Sequence, residues 1–265
     1  MLTSTFVLLN GIGVSTERRL WQTGIRDWST FLHSPSLSGI SVGRKSVYDV
    51  HLSTAQAHLD AGHARYFATC LKSRDHWRLL DVFRARVLYL DIETNGMPVR
   101  DGYVTVVGMY RNAQMISLVR GENLTEERLR HELDQTDLLV TFFGSGFDIP
   151  YLQAKFPRLD FRMPHFDLCF AARRLGFTGG LKYIEQDFDI EREPAITGLD
   201  GWEAVRLWQQ WKAGEETALD LLLRYNAADT RNLEPLAEQL YRQMVIRFGP
   251  TPITIEPNPS SEVFA

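Results

Sequence analysis

Two kinds of hydrophobic pattern divide the chain. Up to about Phe83 the apolar residues recur at helical spacing. From Arg86 they alternate with a period of two or run together in short blocks. In the first part, "LLNGIGVSTERRLWQTGIRDWSTFL" predicts two short helices around a glycine turn, and residues 34–46, rich in Ser and Gly, predict a loop. Residues 48–83 predict helix, with Ser53 or Thr54 as a cap ahead of an Ala-rich stretch. The boundary falls near Phe83–Arg86.

In the second part, 87–93, 103–110 and 114–120 predict three consecutive strands, the last two joined by the hairpin-length Arg111-Asn112-Ala113. A helix follows in "NLTEERLRHEL", with Thr125 or Asn123 as N-cap, and 137–143 predict a fourth strand. "FDIPYLQAKF" opens a helix with Pro150 in its first turn. "HFDLCFAARRLG" predicts a short strand running into a helix that Gly176 ends, and further helices extend to about 248. The order β-β-β-α-β-α-β-α describes an α/β fold: a mixed sheet with helices on its faces. The organisation read from these patterns is a helical region at 1–85, a sheet-containing body at 86–248, and a Pro- and Ser-rich extended tail at 249–265.

Acidic residues break this pattern where burial is expected. Asp91 and Glu93 stand at i and i+2 in "VLYLDIETNG", on one face of a strand. Two like charges there repel, and their burial is costly without compensation. Asp148 follows a buried strand and a Gly-Ser-Gly turn, where it could also cap a helix. Asp229 lies in a long amphipathic helix, four residues after Tyr225 and on the same helical face. Hard oxygen donors gathered from distant segments are what a divalent-metal site needs. A pair of Mg²⁺ or Mn²⁺ ions about 3.5–4 Å apart can clamp an in-line phosphoryl displacement.

The 265 residues are 44% hydrophobic and 23% charged, a globular composition with ample core. The net charge of −4 does not advertise nucleic-acid binding, but its distribution is uneven. Residues 1–86 carry 11 Lys and Arg against 6 Asp and Glu, a net of +5, and the remainder carries −9. A basic N-terminal piece suggests an anionic partner on that side. Cys70 and Cys169 are far apart and outside metal-ligand spacing, as expected of reduced thiols in a cytoplasmic protein. Neither a secretion signal nor a stretch long enough to span a bilayer is read from the sequence, so no membrane association is expected.

"DIETNG", "FDIPYL" and "YNAAD" resemble, in order, the three exonuclease motifs of the DEDD superfamily of 3'→5' exonucleases, in the variant with Tyr in the third motif. The proofreading domains of family B DNA polymerases are similar in these motifs. "HFDLCFAARRLG", "LKYIEQDFDIER" and "YNAADTRNLEPLA" resemble later blocks of the YprB-like bacterial proteins, and the resemblance spans 87–240. It implies a ribonuclease H-like fold and two-metal hydrolysis at a 3' end. Asp91 would bridge both ions, Glu93 and Asp229 would hold the ion carrying the attacking water, Asp148 would help hold the second, and Tyr225 would orient the water. The family often has Asn five residues before Asp148, where this chain has Phe143, which puts strand recognition in question. His165 and Asp167 are expected in a supporting structural role, with a part behind the metal as the alternative. Lys182, Arg173 and Arg174 are candidates to meet phosphates or to lie on a solvated helix face. Trp202, Trp208 and Trp211 are expected in core packing rather than in base stacking.

"LNGIGVSTERRLWQTGI" is similar to a helix-hairpin-helix motif. Gly11 and Gly13 would let backbone N–H groups approach a phosphate, and Arg18 and Arg19 would add charge. The alternative is a glycine turn between core helices. The expected partner is nucleic acid, with DNA favoured over RNA. An endonuclease or RNA-trimming enzyme using the same ions, and a non-catalytic nucleic-acid-binding protein, are the competing readings.

Overall fold

The computed structural model describes residues 1–251. The N-terminal region holds α1 (Val14–Gln22), α2 (Trp28–His33), α3 (Val42–Asp60) and α4 (Ala64–Cys70). Short 3-10 helices precede them at Leu2–Ser4 and follow them at Ser73–Leu79 and Arg84–Arg86. The body comprises β1 (Val87–Thr94), β2 (Val104–Arg111), β3 (Gln114–Val119), α5 (Glu126–Asp134), β4 (Leu138–Thr141), α6 (Asp148–Lys155), β5 (His165–Asp167), α7 (Leu168–Leu175), α8 (Leu181–Asp187), α9 (Gly201–Lys212), α10 (Glu216–Arg231) and α11 (Leu233–Phe248). Most of the expected tail, 252–265, lies outside the described residues.

The sheet has the order β3-β2-β1-β4-β5, with β1, β2 and β3 antiparallel and β4 and β5 parallel to β1. This is the mixed sheet with flanking helices expected from the pattern. The β2–β3 connection is a two-residue turn with Asn112 and Ala113 both at positive φ, which matches the twist of a hairpin. Thr125 caps α5 through its side chain, and Gly176 ends α7 in the left-handed conformation.

Alternation along β1 sorts its side chains. Leu88, Leu90 and Ile92 join an apolar cluster with Leu129 and Leu133 of α5 and Tyr151 and Leu152 of α6. Val87 and Tyr89 face the other way, into a core shared with α7 and α11. Asp91 and Glu93 continue that second face toward α10. The same core runs without a break into the N-terminal region, through Phe6, Trp28, Phe67 and Trp77.

Three local expectations are corrected. The helix expected from residue 48 starts at Val42, because the Ser41 side chain accepts from the Arg44 N–H and caps it there. This takes up part of the loop expected at 34–46. That helix then stops at Asp60, since Gly62 takes a positive φ, and the chain to 83 continues through α4 and a 3-10 segment. The fourth strand ends at Thr141 instead of 143, because Phe143 turns into the left-handed region with φ of 64°. Among the described residues no helix is long and apolar enough to cross a membrane.

Candidate active site

Asp91 and Glu93 lie toward the C-terminal end of β1, paired across the ladder with Gly108 and Val106 of β2. At Gly108 the sheet meets α10 at close range. A Cβ there would stand 2.2 Å from Thr230 Oγ1 and 2.4 Å from Asn226 Oδ1, so only glycine admits the helix. That approach brings Asp229 to the β1 carboxylates. One oxygen from each of Asp91, Glu93 and Asp229 lies within 4.8 Å of the others.

Asp148 arrives from the opposite side. It is the first residue of α6, yet its Oδ1 accepts from the Ile92 N–H of β1 at 3.1 Å, a bond across the sheet end rather than a cap on its own helix. It is buried and lines the same cleft of about 860 Å³ as Asp91, Glu93, Asp229 and Tyr225.

Burial, with acidic neighbours adding to it, pushes Asp91, Glu93 and Asp148 up. The Asp91 and Glu93 carboxyls lie well above the usual range, mainly through desolvation and then through Asp229 and their other acidic neighbours. Asp148 is raised to about 7, mainly by burial. Carboxylate oxygens gathered from three separate segments of the chain form a donor set suited to hard divalent ions. The residues present therefore fit Mg²⁺ or Mn²⁺.

Two cations approach the cluster. Lys182 of α8 donates to the Tyr225 hydroxyl at 2.8 Å and to the Leu199 carbonyl, and burial lowers its pKa. Arg192 forms a two-pronged pair with Glu185 at 2.5 and 2.8 Å and places Nη1 2.5 Å from Asp229 Oδ1. Asn226 donates to Asp91 Oδ2 at 2.9 Å. The Tyr225 hydroxyl is shifted strongly upward by burial and by Asp229, Glu93 and Asp91, so it stays protonated.

Arg192 and Asn226 were not among the residues expected from the sequence. Asn226 carried a usable signal, since it stands three residues before Asp229 and so on a neighbouring part of the same face. Arg192 carried none, because it lies in the loop after α8 and meets Asp229 of α10 only in the folded chain.

Asp167 holds the turn that leads to Asp148. Its Oδ1 accepts from the Phe143 N–H, and its Oδ2 accepts from the Ser145 N–H and hydroxyl. His165 meets the Thr141 hydroxyl at 2.8 Å. Phe143 occupies a left-handed backbone position, which Asn adopts readily and which is strained by about 1–3 kcal/mol for a bulky residue. The turn thus has a backbone geometry that Asn adopts readily, while a half-exposed phenyl ring lines the cleft.

Of the basic candidates, Arg173 lines the cleft, whereas Arg174 turns toward the Arg74 carbonyl and Asp75. The tryptophans separate: Trp208 is buried, Trp211 half-buried and Trp202 exposed in the cleft. Core packing therefore describes Trp208 but not Trp202.

Gly11, Gly13, Arg18 and Arg19 all belong to the N-terminal region, and none lines the cleft. Gly11 is at positive φ, Gly13 precedes α1, and both arginines are exposed. The Gly11 turn is not entered from an α-helix. The Phe6 and Val7 N–H groups bond the buried Glu17 carboxylate, which also pairs with Arg78, so these N–H groups are not used in a helical ladder.

A family model described as the RNase_H superfamily matches residues 88–241. The chain belongs to the RNase H superfamily. No curated protein sequence matches it. Solved structures similar to this RNase H superfamily chain include the family B DNA polymerase of the hyperthermophilic archaeon Pyrobaculum calidifontis, with 17% identity and a TM-score of 0.48. That match covers 58% of this chain and 24% of the polymerase, so the chain spans about a quarter of the polymerase's length. Brucella melitensis NrnC has 20% identity and a TM-score of 0.42, over 62% of this chain and 76% of NrnC. The Aedes aegypti Nibbler EXO domain has 16% identity and a TM-score of 0.40, over 66% and 88%. The superfamily match, not these structural likenesses, carries the assignment.

Proposed function

We propose that this RNase H superfamily protein is a divalent-metal-dependent 3'→5' exonuclease that hydrolyses single-stranded nucleic-acid ends, with DNA the favoured substrate. The observation that carries the reading is the convergence of Asp91, Glu93 and Asp229 oxygens within 4.8 Å, with Asp148 and Tyr225 in the same cleft. Asp91, Glu93, Asp148 and Asp229 would hold Mg²⁺ or Mn²⁺. Such ions, when bound, supply an activated water and stabilise charge on the leaving oxygen.

The chain's own groups do the positioning. Tyr225 stays protonated, so it orients a water by hydrogen bonding and does not act as the base. Lys182 donates to the Tyr225 oxygen and fixes its place. Asn226 fixes the Asp91 carboxylate, and Arg192 does the same for Asp229. Arg173, on the wall of the cleft, is placed to meet a phosphate of the strand. Hydrolysis joins the water oxygen to phosphorus, breaks the bond to the 3' oxygen of the preceding nucleotide and frees a nucleoside monophosphate. The basic N-terminal region, with Gly11, Gly13, Arg18 and Arg19, would bind the strand through its phosphates without reading sequence.

The test is incubation with a 5'-labelled single strand in Mg²⁺, Mn²⁺ or EDTA. A stepwise ladder that disappears with EDTA and with Asp91→Ala is expected. Discrete internal cuts, or shortening indifferent to both, would refute the reading. DNA and RNA copies, each with a free or blocked 3' end, check sugar preference and polarity.

A further inference from the structure

We infer that Trp202 is a stacking platform for the unpaired base at the 3' end of the strand, making the cleft a sequence-tolerant site for a frayed terminal nucleotide. This rests on the exonuclease reading of the same cleft.

Trp202 is 74% exposed, whereas Trp208, further along α9, is 2% exposed. A lone exposed aromatic residue needs no explanation. Here the place of the ring matters. Trp202 lines the cleft that holds Asp91, Glu93, Asp148 and Asp229. Its Cζ3 lies 3.7 Å from where a Cβ on Gly96 would stand, two residues past the end of β1. Gly96 has a φ of 77°, and its Cβ would come within 3.1 Å of Val205, so the glycine lets α9 seat the ring beside the carboxylate strand.

The backbone that carries the ring is fixed by side-chain bonds. Asp200 accepts from the Trp202 and Glu203 N–H groups at 2.8 and 3.0 Å. Lys182 ties the preceding Leu199 carbonyl to the Tyr225 hydroxyl. The element that presents Trp202 is therefore linked to the group proposed to orient the water.

The β4–α6 turn contributes two more aromatic residues to the cleft, Phe143 at 41% and Phe147 at 43% exposure. These rings and Trp202 offer π faces, with the indole N–H their single hydrogen-bond donor, which suits stacking of any base and poorly suits reading its edge. A volume of about 860 Å³ lies within the range of ligand pockets and is ample for a terminal nucleotide.

The experiment compares wild type, Trp202→Ala and Trp202→Phe on a 5'-labelled single strand ending in an ordinary or an abasic 3' nucleotide. Binding of both strands in EDTA is followed by anisotropy. On the ordinary end, Trp202→Ala should raise KM about tenfold, within the range for loss of one base stack, and Trp202→Phe should recover most of it. On the abasic end the three proteins should agree. Equal KM values for wild type and Trp202→Ala on the ordinary end, or the same loss on the abasic end, would overturn the proposal. A wild type that cuts neither strand refutes the nuclease reading instead. The anisotropy arm then judges the platform alone, supported if only proteins with an aromatic residue at 202 prefer the ordinary end and refuted if Trp202→Ala prefers it equally.

Discussion

Replacing Asp91 by Asn should stabilise the metal-free protein and weaken its response to metal. At 4.8 Å and an effective dielectric of about 20, two carboxylates repel by roughly 3.5 kcal/mol. Asp91 faces both Glu93 and Asp229 at no more than that distance, and because burial and acidic neighbours raise the Asp91 and Glu93 carboxyls the full figure is an upper bound. The amide oxygen can still accept from Asn226, so the 2.9 Å contact survives and the change is one of charge. A net gain of about 1–3 kcal/mol is expected in EDTA at pH 8. For a chain of this size that raises the thermal midpoint by roughly 3–10 °C. Saturating Mg²⁺ or Mn²⁺ should raise the wild-type midpoint, by about 2.7 kcal/mol of stabilisation at a hundred times Kd, and should raise that of Asp91→Asn much less. The assay is thermal unfolding of both proteins in EDTA and across a metal titration. An Asp91→Asn protein that melts at or below wild type in EDTA, or that gains as much from metal, would refute the reasoning.

Other consequences concern stability and the fit of α10. His165 is held down to about 4 by burial, while its unfolded form takes a proton near 6.5. Its contribution is complete above pH 6.5 and is lost as the pH falls toward 4, because the unfolded state then binds more protons. Urea titrations should show that loss in wild type relative to His165→Gln, and parallel pH profiles would exclude it. Glu17→Gln removes the two-pronged partner of the buried Arg78, leaving it only the Asp75 carboxylate at 3.6 Å, and should cost about 3 kcal/mol in chemical denaturation; a loss under 1 kcal/mol would show that the pair is not essential. Gly108→Ala sets a methyl group 2.2 Å from Thr230 Oγ1 and should destabilise by about 1–3 kcal/mol. It should also blunt the metal-induced rise in midpoint, since α10 carries Asn226 and Asp229; an unchanged midpoint and metal response would refute the close-packing argument.

Local physics made much of the body legible. Period-two alternation located β1 and placed Asp91 and Glu93 on one face, because a strand cannot do otherwise with residues two apart. The Thr125 cap, the Asn112-Ala113 turn and the Gly176 stop all act within one turn of chain, and each stands where the pattern put it. The helical period likewise aligned Tyr225 with Asp229. The N-terminal region was less legible, since Ser41 caps α3 inside an expected loop and Glu17 is buried beside the exposed Arg18 and Arg19.

What only the tertiary structure decided was partnership. Asn226 reaches Asp91 across 135 residues, Glu17 meets Arg78 across 61, and Arg192 meets Asp229 from another segment. Trp202 and Trp208 share one helix, yet one is exposed in the cleft and the other buried, because α10 and the adjoining face of β2 and β3 pack over only one of them. A residue's period and capping depend on neighbours a few positions away, so the sequence alone carries them. Its charge environment and exposure depend on which distant element packs over it, and that is settled only when the sheet and its helices close together.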